Sequence, residues 1–270
     1  MIRCLRRTFV VANRFAVVGE PAVVVVGISV CRHKRNMSNV SVDLSALRQP
    51  YREDDDVLLE STLPTKDPIK LFELWFNEIK SNDKSVEANA VCVSTCTKDG
   101  IPSSRMVLLK QYGSDGFVFF TNLLSRKGQE LTENPRAALL FYWASVNRQV
   151  RIEGPVEQVS PAEAKKYFES RPKRSQVAAA LSQQSKPVSG RDELISRYNE
   201  LEKKHADDTF LTRPDYWGGF RVIPKVFEFW QGQSSRLHDR IVFRSKNEPS
   251  PEGLEKHEVV GDWIIYRIQP

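Results

Sequence analysis

From Ala90 onward the apolar residues recur with period two, where the segment before them follows the helical 3.6, and this switch constrains the fold more than any other feature. Residues 90–97, 104–112, 117–122, 137–143 and 148–159 read as five strands. The first three are joined through Asp99-Gly100 and Asp115-Gly116, both tight-turn dipeptides, so consecutive strands run antiparallel. Short strands at this spacing predict a barrel or a sandwich, and the helices between them favour a barrel with helical decoration. One such helix is marked by Asp67 as its cap, Pro68 at its first position and an apolar stripe of Phe72, Trp75, Phe76 and Ile79 that faces a core. A second opens at Ser160-Pro161-Ala162-Glu163, a capping box, and residues 192–205 form a third, charged helix. Residues 176–190 are small and polar and read as a loop or short helix; residues 219–230 resume strand character with Pro224 at an edge or bulge, and residues 263–268 form the last strand.

Charge is unevenly placed. The net charge is +6, and residues 1–37 alone carry seven basic side chains (Arg3, Arg6, Arg7, Arg14, Arg32, Lys34, Arg35) against one acid, Glu20. The leader therefore holds the whole excess, and the neutral remainder gives no electrostatic reason to expect nucleic-acid binding. Its Arg-rich, acid-poor, amphipathic start reads as a mitochondrial transit peptide or as a disordered tail, with Met37 an internal start for a cytosolic form; a mitochondrial or cytoplasmic location follows. The longest apolar run, residues 22–30, is about half a membrane span. Four cysteines at spacings that match no common zinc pattern predict no metal site, and Cys92 and Cys96 read as small buried thiols on one strand face. The chain thus divides into a leader (1–37), a mobile lead-in (38–66) and one folded domain (67–270).

Several clusters bear chemistry. In Phe227-Glu228-Phe229-Trp230-Gln231-Gly232-Gln233-Ser234-Ser235-Arg236-Leu237-His238-Asp239-Arg240, a strand over 236–240 would put Arg236, His238 and Arg240 on one face, which fits either an anion site or a solvated edge. His238 is the only one of the four histidines in such company. Ser125 reads as an N-cap, so Arg126 and Lys127 sit at a helix N-terminus, where cations oppose the dipole by up to about 1 kcal/mol each unless an anion binds there or salt screens them. Tyr167, Arg171 and Ser175 meet at a helix end, either to hold a phosphate or to satisfy the last carbonyls. Arg105 and Lys110 share a strand at opposite parity and face opposite sides, so one ligand cannot easily use both.

Read together, these motifs resemble the pyridoxine (pyridoxamine) 5′-phosphate oxidase family from about Arg52 to the C-terminus. The most specific match is Glu228-Phe229-Trp230-Gln231, a four-residue gap, and Arg236-Leu237-His238-Asp239-Arg240. Arg105-Met106-Val107-Leu108-Leu109-Lys110, Phe119-Phe120-Thr121-Asn122, Ser125-Arg126-Lys127-Gly128, Asn147-Arg148-Gln149-Val150-Arg151 and Ser170-Arg171-Pro172 support it. The resemblance implies a mainly β fold with helices, an FMN-binding split β-barrel, and a homodimer with two FMN sites at the subunit interface. It implies FMN held by Arg105, Met106, Val107, Leu108, Phe120, Thr121, Arg126, Lys127, Gln149, Gln184, Ser185, Trp230 and Arg240. It implies a B6 phosphate substrate held by Lys110, Tyr167, Arg171, Ser175, Arg236 and His238, with Arg52 as a lid and with Arg236 and His238 orienting the ring for oxidation by O2. Under that assignment Arg105 serves the cofactor and Lys110 the substrate, which removes the parity conflict. The acidic run Glu53 to Asp56 and the tail Arg267-Ile268-Gln269-Pro270 depart from the family pattern and bear on the lid and the tail contacts.

Overall fold

The structure is a computed structural model that describes residues 41–47, 50–51, 56–204 and 211–270. The leader, Arg52 and His205 lie outside the described residues. The chain divides into 1–48 and 49–270. In the first, residues 41–47 include a turn closed by Leu47 N–H donating to Leu44 O at 3.0 Å.

The second unit is built on ten strands: β1 (Ala90–Cys96), β2 (Pro102–Gly113), β3 (Gly116–Asn122), β4 (Arg136–Trp143), β5 (Arg148–Gln158), β6 (Trp217–Val222), β7 (Val226–Gln231), β8 (Asp239–Ser245), β9 (Glu258–Val260) and β10 (Trp263–Arg267). Their order is β4-β1-β2-β3-β6-β5-β7-β8-β10-β9, and an added β4–β5 pairing closes six of them into an antiparallel barrel. The predicted decorated barrel is what forms. Gly100 and Gly116 occupy the two predicted turns at φ +79° and +129°, where an L side chain would be strained.

The helices are α1 (Pro68–Asn82), α2 (Arg126–Glu133), α3 (Pro161–Ser170), α4 (Lys173–Leu181) and α5 (Arg191–Lys204). Asp67 caps α1 as expected, accepting from Ile69 and Lys70 N–H at 2.9 and 3.3 Å, and Ser160 caps α3 through Glu163 N–H at 3.1 Å. The α1 stripe joins the barrel core: Phe72 is fully buried and meets Phe76, Tyr112, Phe117, Phe141 and Trp143 at ring separations of 5.0–6.2 Å. Each such buried ring contributes on the order of 1.5–3 kcal/mol, which anchors α1 to the strands.

Three expectations are corrected. Residues 219–230 are two strands, because β6 pairs with the C-terminal part of β5 and β7 with its N-terminal part, and the chain crosses between them at Ile223-Pro224. The crossing runs over Gly154, where a Cβ would lie 1.8 Å from Ile223 O, so only glycine admits it. Residues 236–238 are not a strand: β8 begins at Asp239, and Arg236 at φ +69° breaks the extended backbone that the alternation requires. Cys92 and Cys96 do share a face of β1, but the half-buried one, since Val91, Val93 and Thr95 take the buried positions.

Candidate functional site

The predicted site residues that are described fall into two clusters in one chain. The first surrounds a cavity of about 640 Å³ between β2, β3, α3 and α4, within the roughly 300–1,000 Å³ typical of small-molecule sites. Strand β2 presents Met106, Val107, Leu108 and Lys110 to it, and a register shift between Leu109 and Gln111 leaves both Lys110 and Gln111 exposed. Strand β3 adds Phe120 and Thr121. Phe120 stacks on Tyr167 at 4.2 Å and on Trp217 at 5.5 Å, forming an aromatic wall.

Proline 172 ends α3, so Arg171 leaves the helix and lies with its guanidinium 5.0 Å from the Trp217 ring centre. Its Nη1 is buried with no hydrogen-bond partner among the described residues, and burial lowers its pKa. A buried guanidinium N–H without a protein acceptor calls for an anionic oxygen. Lys110, Tyr167 and Ser175 line the same cavity, so the predicted phosphate-holding set is brought together.

Lys127 also reaches this cavity. It is buried, and its Nζ donates to Gln184 Oε1 at 2.8 Å, Thr121 Oγ1 at 3.1 Å and Ser125 Oγ at 3.4 Å. Burial and the nearby charge of Arg105 push it down to about 8. None of its partners is a carboxylate, so an incoming anion would be its first full countercharge in this set. Ser125 caps α2 through Gly128 N–H at 3.3 Å. A Cβ on Gly128 would lie 2.2 Å from Leu123 O, so glycine is what lets the helix start close under the preceding loop.

Arg105 and Arg126 lie apart from the cavity lining and converge on Glu130. Arg126 Nε donates to Glu130 Oε1 at 2.8 Å; Arg105 Nη1 donates to Thr95 Oγ1 at 2.6 Å, and its Nη2 lies 3.5 Å from Glu130 Oε2. Burial alone would raise the Glu130 pKa, yet hydrogen bonds from Ser103 and Thr95 and the contact with Arg126 bring it down to about 2. Ser185 accepts from the Arg126 main-chain N–H at 3.2 Å, so the 182–186 loop joins α2 through both Gln184 and Ser185. Glu130 was not among the sequence candidates; its i,i+4 spacing from Arg126 was the available signal.

The second cluster is built on β5, β7 and β8, where Gln149 and Arg240 flank Trp230 in register. Arg240 Nε donates to buried Glu228 at 2.8 Å, and Arg151 binds the other oxygen; these hydrogen bonds lower the Glu228 pKa against the effect of burial. His238 packs 5.0 Å from Trp230. Tyr51 sets its ring edgewise against Trp230 at 5.9 Å and His238 at 5.5 Å, and the Arg236 guanidinium lies 5.2 Å over Tyr51. Sequence reasoning marked Arg52 and passed over Tyr51; an aromatic beside that arginine in an otherwise polar lead-in was the signal. Among the described residues none lines both the cavity and this second cluster.

Among the described residues no group of three or more His, Cys, Asp or Glu is placed to hold a metal, and no helix is long and apolar enough to cross a membrane. A family model described as pyridoxamine 5′-phosphate oxidase matches residues 80–205, and one described as the pyridoxine 5′-phosphate oxidase C-terminal dimerisation region matches 217–270. The chain is 48% identical over 232 residues to pyridoxine-5′-phosphate oxidase of Bos taurus, covering 85% of this chain and 88% of that one. It is 44% identical over 235 residues to pyridoxine/pyridoxamine 5′-phosphate oxidase of Bombyx mori, covering 86% and 91%. Among solved structures, PhzG from Burkholderia lata, in complex with tetrahydrophenazine-1-carboxylic acid, superposes with a TM-score of 0.69 at 29% identity, covering 80% of this chain and 98% of that one. With the closed barrel, the two clusters and these matches agreeing over most of its length, the chain belongs to the pyridoxine/pyridoxamine 5′-phosphate oxidase family.

Proposed function

We propose that the chain oxidises pyridoxine 5′-phosphate and pyridoxamine 5′-phosphate with O2 to pyridoxal 5′-phosphate, releasing H2O2 and, from the amine with uptake of one water, ammonia. The observation that carries this reading is the unpartnered buried Nη1 of Arg171 in a cavity shared with Lys110, Tyr167 and Ser175. Two cations and two neutral hydroxyl donors match a phosphate dianion, and the planar fork of Arg171 fixes its orientation. The cofactor is FMN, which when bound accepts a hydride from C4′ of the substrate and passes the electrons to O2.

The donor set fits a flavin phosphate. Lys127 hydrogen-bonds Thr121, Ser125 and Gln184 and no carboxylate among the described residues, and it stands with Arg126 at the N-terminus of α2, where backbone N–H groups also favour an anion. Arg105, Gln184 and Ser185 hold this corner, while Met106, Val107, Leu108, Phe120 and Thr121 supply the wall for the ring system. Gln149, Trp230 and Arg240 complete the flavin site, and Arg236 and His238 orient the substrate ring beside it, with Arg52 and its neighbour Tyr51 as cover. The protein works as a homodimer in which the Trp230 cluster of one subunit completes the cavity of the other; the dimerisation region matched over 217–270 includes Trp230, Arg236, His238 and Arg240 of that cluster and supports this arrangement.

An anaerobic visible spectrum tests the reading. Purified protein should carry flavin absorbance that bleaches on adding pyridoxine 5′-phosphate and returns with O2 uptake. Colourless protein that ignores added FMN would refute the flavin assignment, and a flavin band that does not bleach would leave a flavin-binding barrel without this oxidase activity.

A further inference from the structure

The contact that fixes the chemistry of His238 is made by the main chain, and its meaning for the reaction rests on the oxidase reading above. The Gln233 main-chain N–H donates to His238 Nδ1 at 3.0 Å. A backbone amide nitrogen offers a hydrogen and no lone pair, so the ring nitrogen facing it must be unprotonated. In neutral imidazole the single proton then resides on Nε2. The imidazolium would bring a second N–H against the Gln233 N–H, so the same contact disfavours protonation. Burial and the adjacent charge of Arg236 act in the same direction, opposed by Asp239.

The loop that makes this contact is pinned at both ends. Gln233 is buried, and its Nε2 donates to Asp56 O at 2.7 Å and to Asp239 Oδ2 at 2.9 Å. Two acceptors on one side fix the amide orientation. Asp239, also buried, accepts from Leu58 N–H at 2.9 Å and from Arg267 Nη1 at 2.6 Å. The lead-in, the loop and the C-terminal strand therefore meet at the residue next to His238. This holds the Gln233 N–H in place while the half-exposed imidazole leaves Nε2 for a ligand.

We propose that His238 acts as a neutral Nε2–H donor to an electron-rich atom of the substrate ring, with Gln233 and Asp239 as positioning residues. Neither imidazole nitrogen takes the proton lost from the substrate's 4′ hydroxyl or amine: Nε2 already carries one, and Nδ1 is occupied by the Gln233 N–H.

The test pairs a direct measurement with two variants of the FMN-loaded enzyme. Long-range ¹H–¹⁵N spectra of histidine-labelled protein, with the His238 signals assigned by their loss in H238Q, should show Nδ1 unprotonated and Nε2 protonated across the pH range of activity. The glutamine of H238Q places an N–H near the Nε2 position, whereas the asparagine of H238N reaches only the Nδ1 position. H238Q should keep kcat for pyridoxine 5′-phosphate within about tenfold of wild type, and H238N should lose about a hundredfold, the scale of one preorganised donor. A proton on Nδ1, or an H238N enzyme as active as H238Q, would overturn the proposal. If wild-type enzyme did not oxidise pyridoxine 5′-phosphate, the oxidase reading would fail instead, and the spectra would still decide the tautomer.

Discussion

Replacing Glu130 by glutamine tests whether the charge at the base of α2 is an energetic keystone or a bystander. The carboxylate is nearly inaccessible, with its side chain 4% exposed, and it collects Thr95, Ser103, Arg105 and Arg126. Its pKa falls from an ordinary 4.5 to about 2, and at about 1.4 kcal/mol per pH unit the ionised form contributes at most about 3 kcal/mol. Because the folded-state value is the lower one, this stability is complete above pH 4.5 and is lost as pH falls from 4.5 towards 2. Urea unfolding of flavin-stripped wild type and E130Q, at one protein concentration, should therefore show a gap of up to about 3 kcal/mol at pH 7. With a urea dependence of roughly 2 kcal/mol per molar, the midpoint moves by up to about 1.5 M. At pH 3.5 the gap should shrink by about 1.4 kcal/mol, since only the wild type carries the Glu130 titration. A gap of the same size at both pH values would refute the electrostatic argument and assign the effect to packing or hydrogen-bond geometry alone.

Lys127, at about 8, is charged below that pH and neutral above it, so flavin affinity should weaken as pH rises from 8 to 10 and lose that dependence in K127M. A flat wild-type profile in a fluorescence titration would remove Lys127 from the phosphate site. R171M deletes a buried cation whose Nη1 has no partner, so thermal stability should hold or rise while KM for the phosphorylated substrate increases about 10–100-fold, the scale of a charged hydrogen bond. A large drop in melting temperature would show instead that Arg171 is part of the protein's own scaffold. R236A should lower turnover with flavin retained, and R126A should weaken flavin first; equal flavin loss in both, read from the ratio of visible to protein absorbance, would contradict the division into two ligand subsites.

What the sequence revealed and what it hid follow from the same physics. Strands β1, β4 and β5 were legible because burial of one face writes a period of two into side-chain polarity, and β2 and β3 because Asp-Gly turns, which carry their own backbone requirement, mark their ends. The crossing at Pro224 was not, since β6 and β7 are both largely buried and leave an almost unbroken apolar run, and the residue that permits the crossing, Gly154, lies on another strand. The parity of Arg105 and Lys110 was readable, whereas the bulge at Leu109 to Gln111 carries no glycine or proline to announce it. At the site, side-chain type and spacing were enough to group Tyr167, Arg171 and Ser175, which line one cavity, because polar donors gathered at a helix end are displayed directly in sequence. It was not enough to separate Trp230 and His238 from that cavity within one chain, since a motif records which groups are present and not which surface of the fold they line. Least visible was the Gln233 N–H on His238: every residue but proline has that donor, so its position is set by Asp56, Leu58, Asp239 and Arg267 from three distant parts of the chain. A histidine in a motif can therefore be recognised as functional from sequence, but whether it gives or takes a proton is decided by a contact that has no residue identity to read.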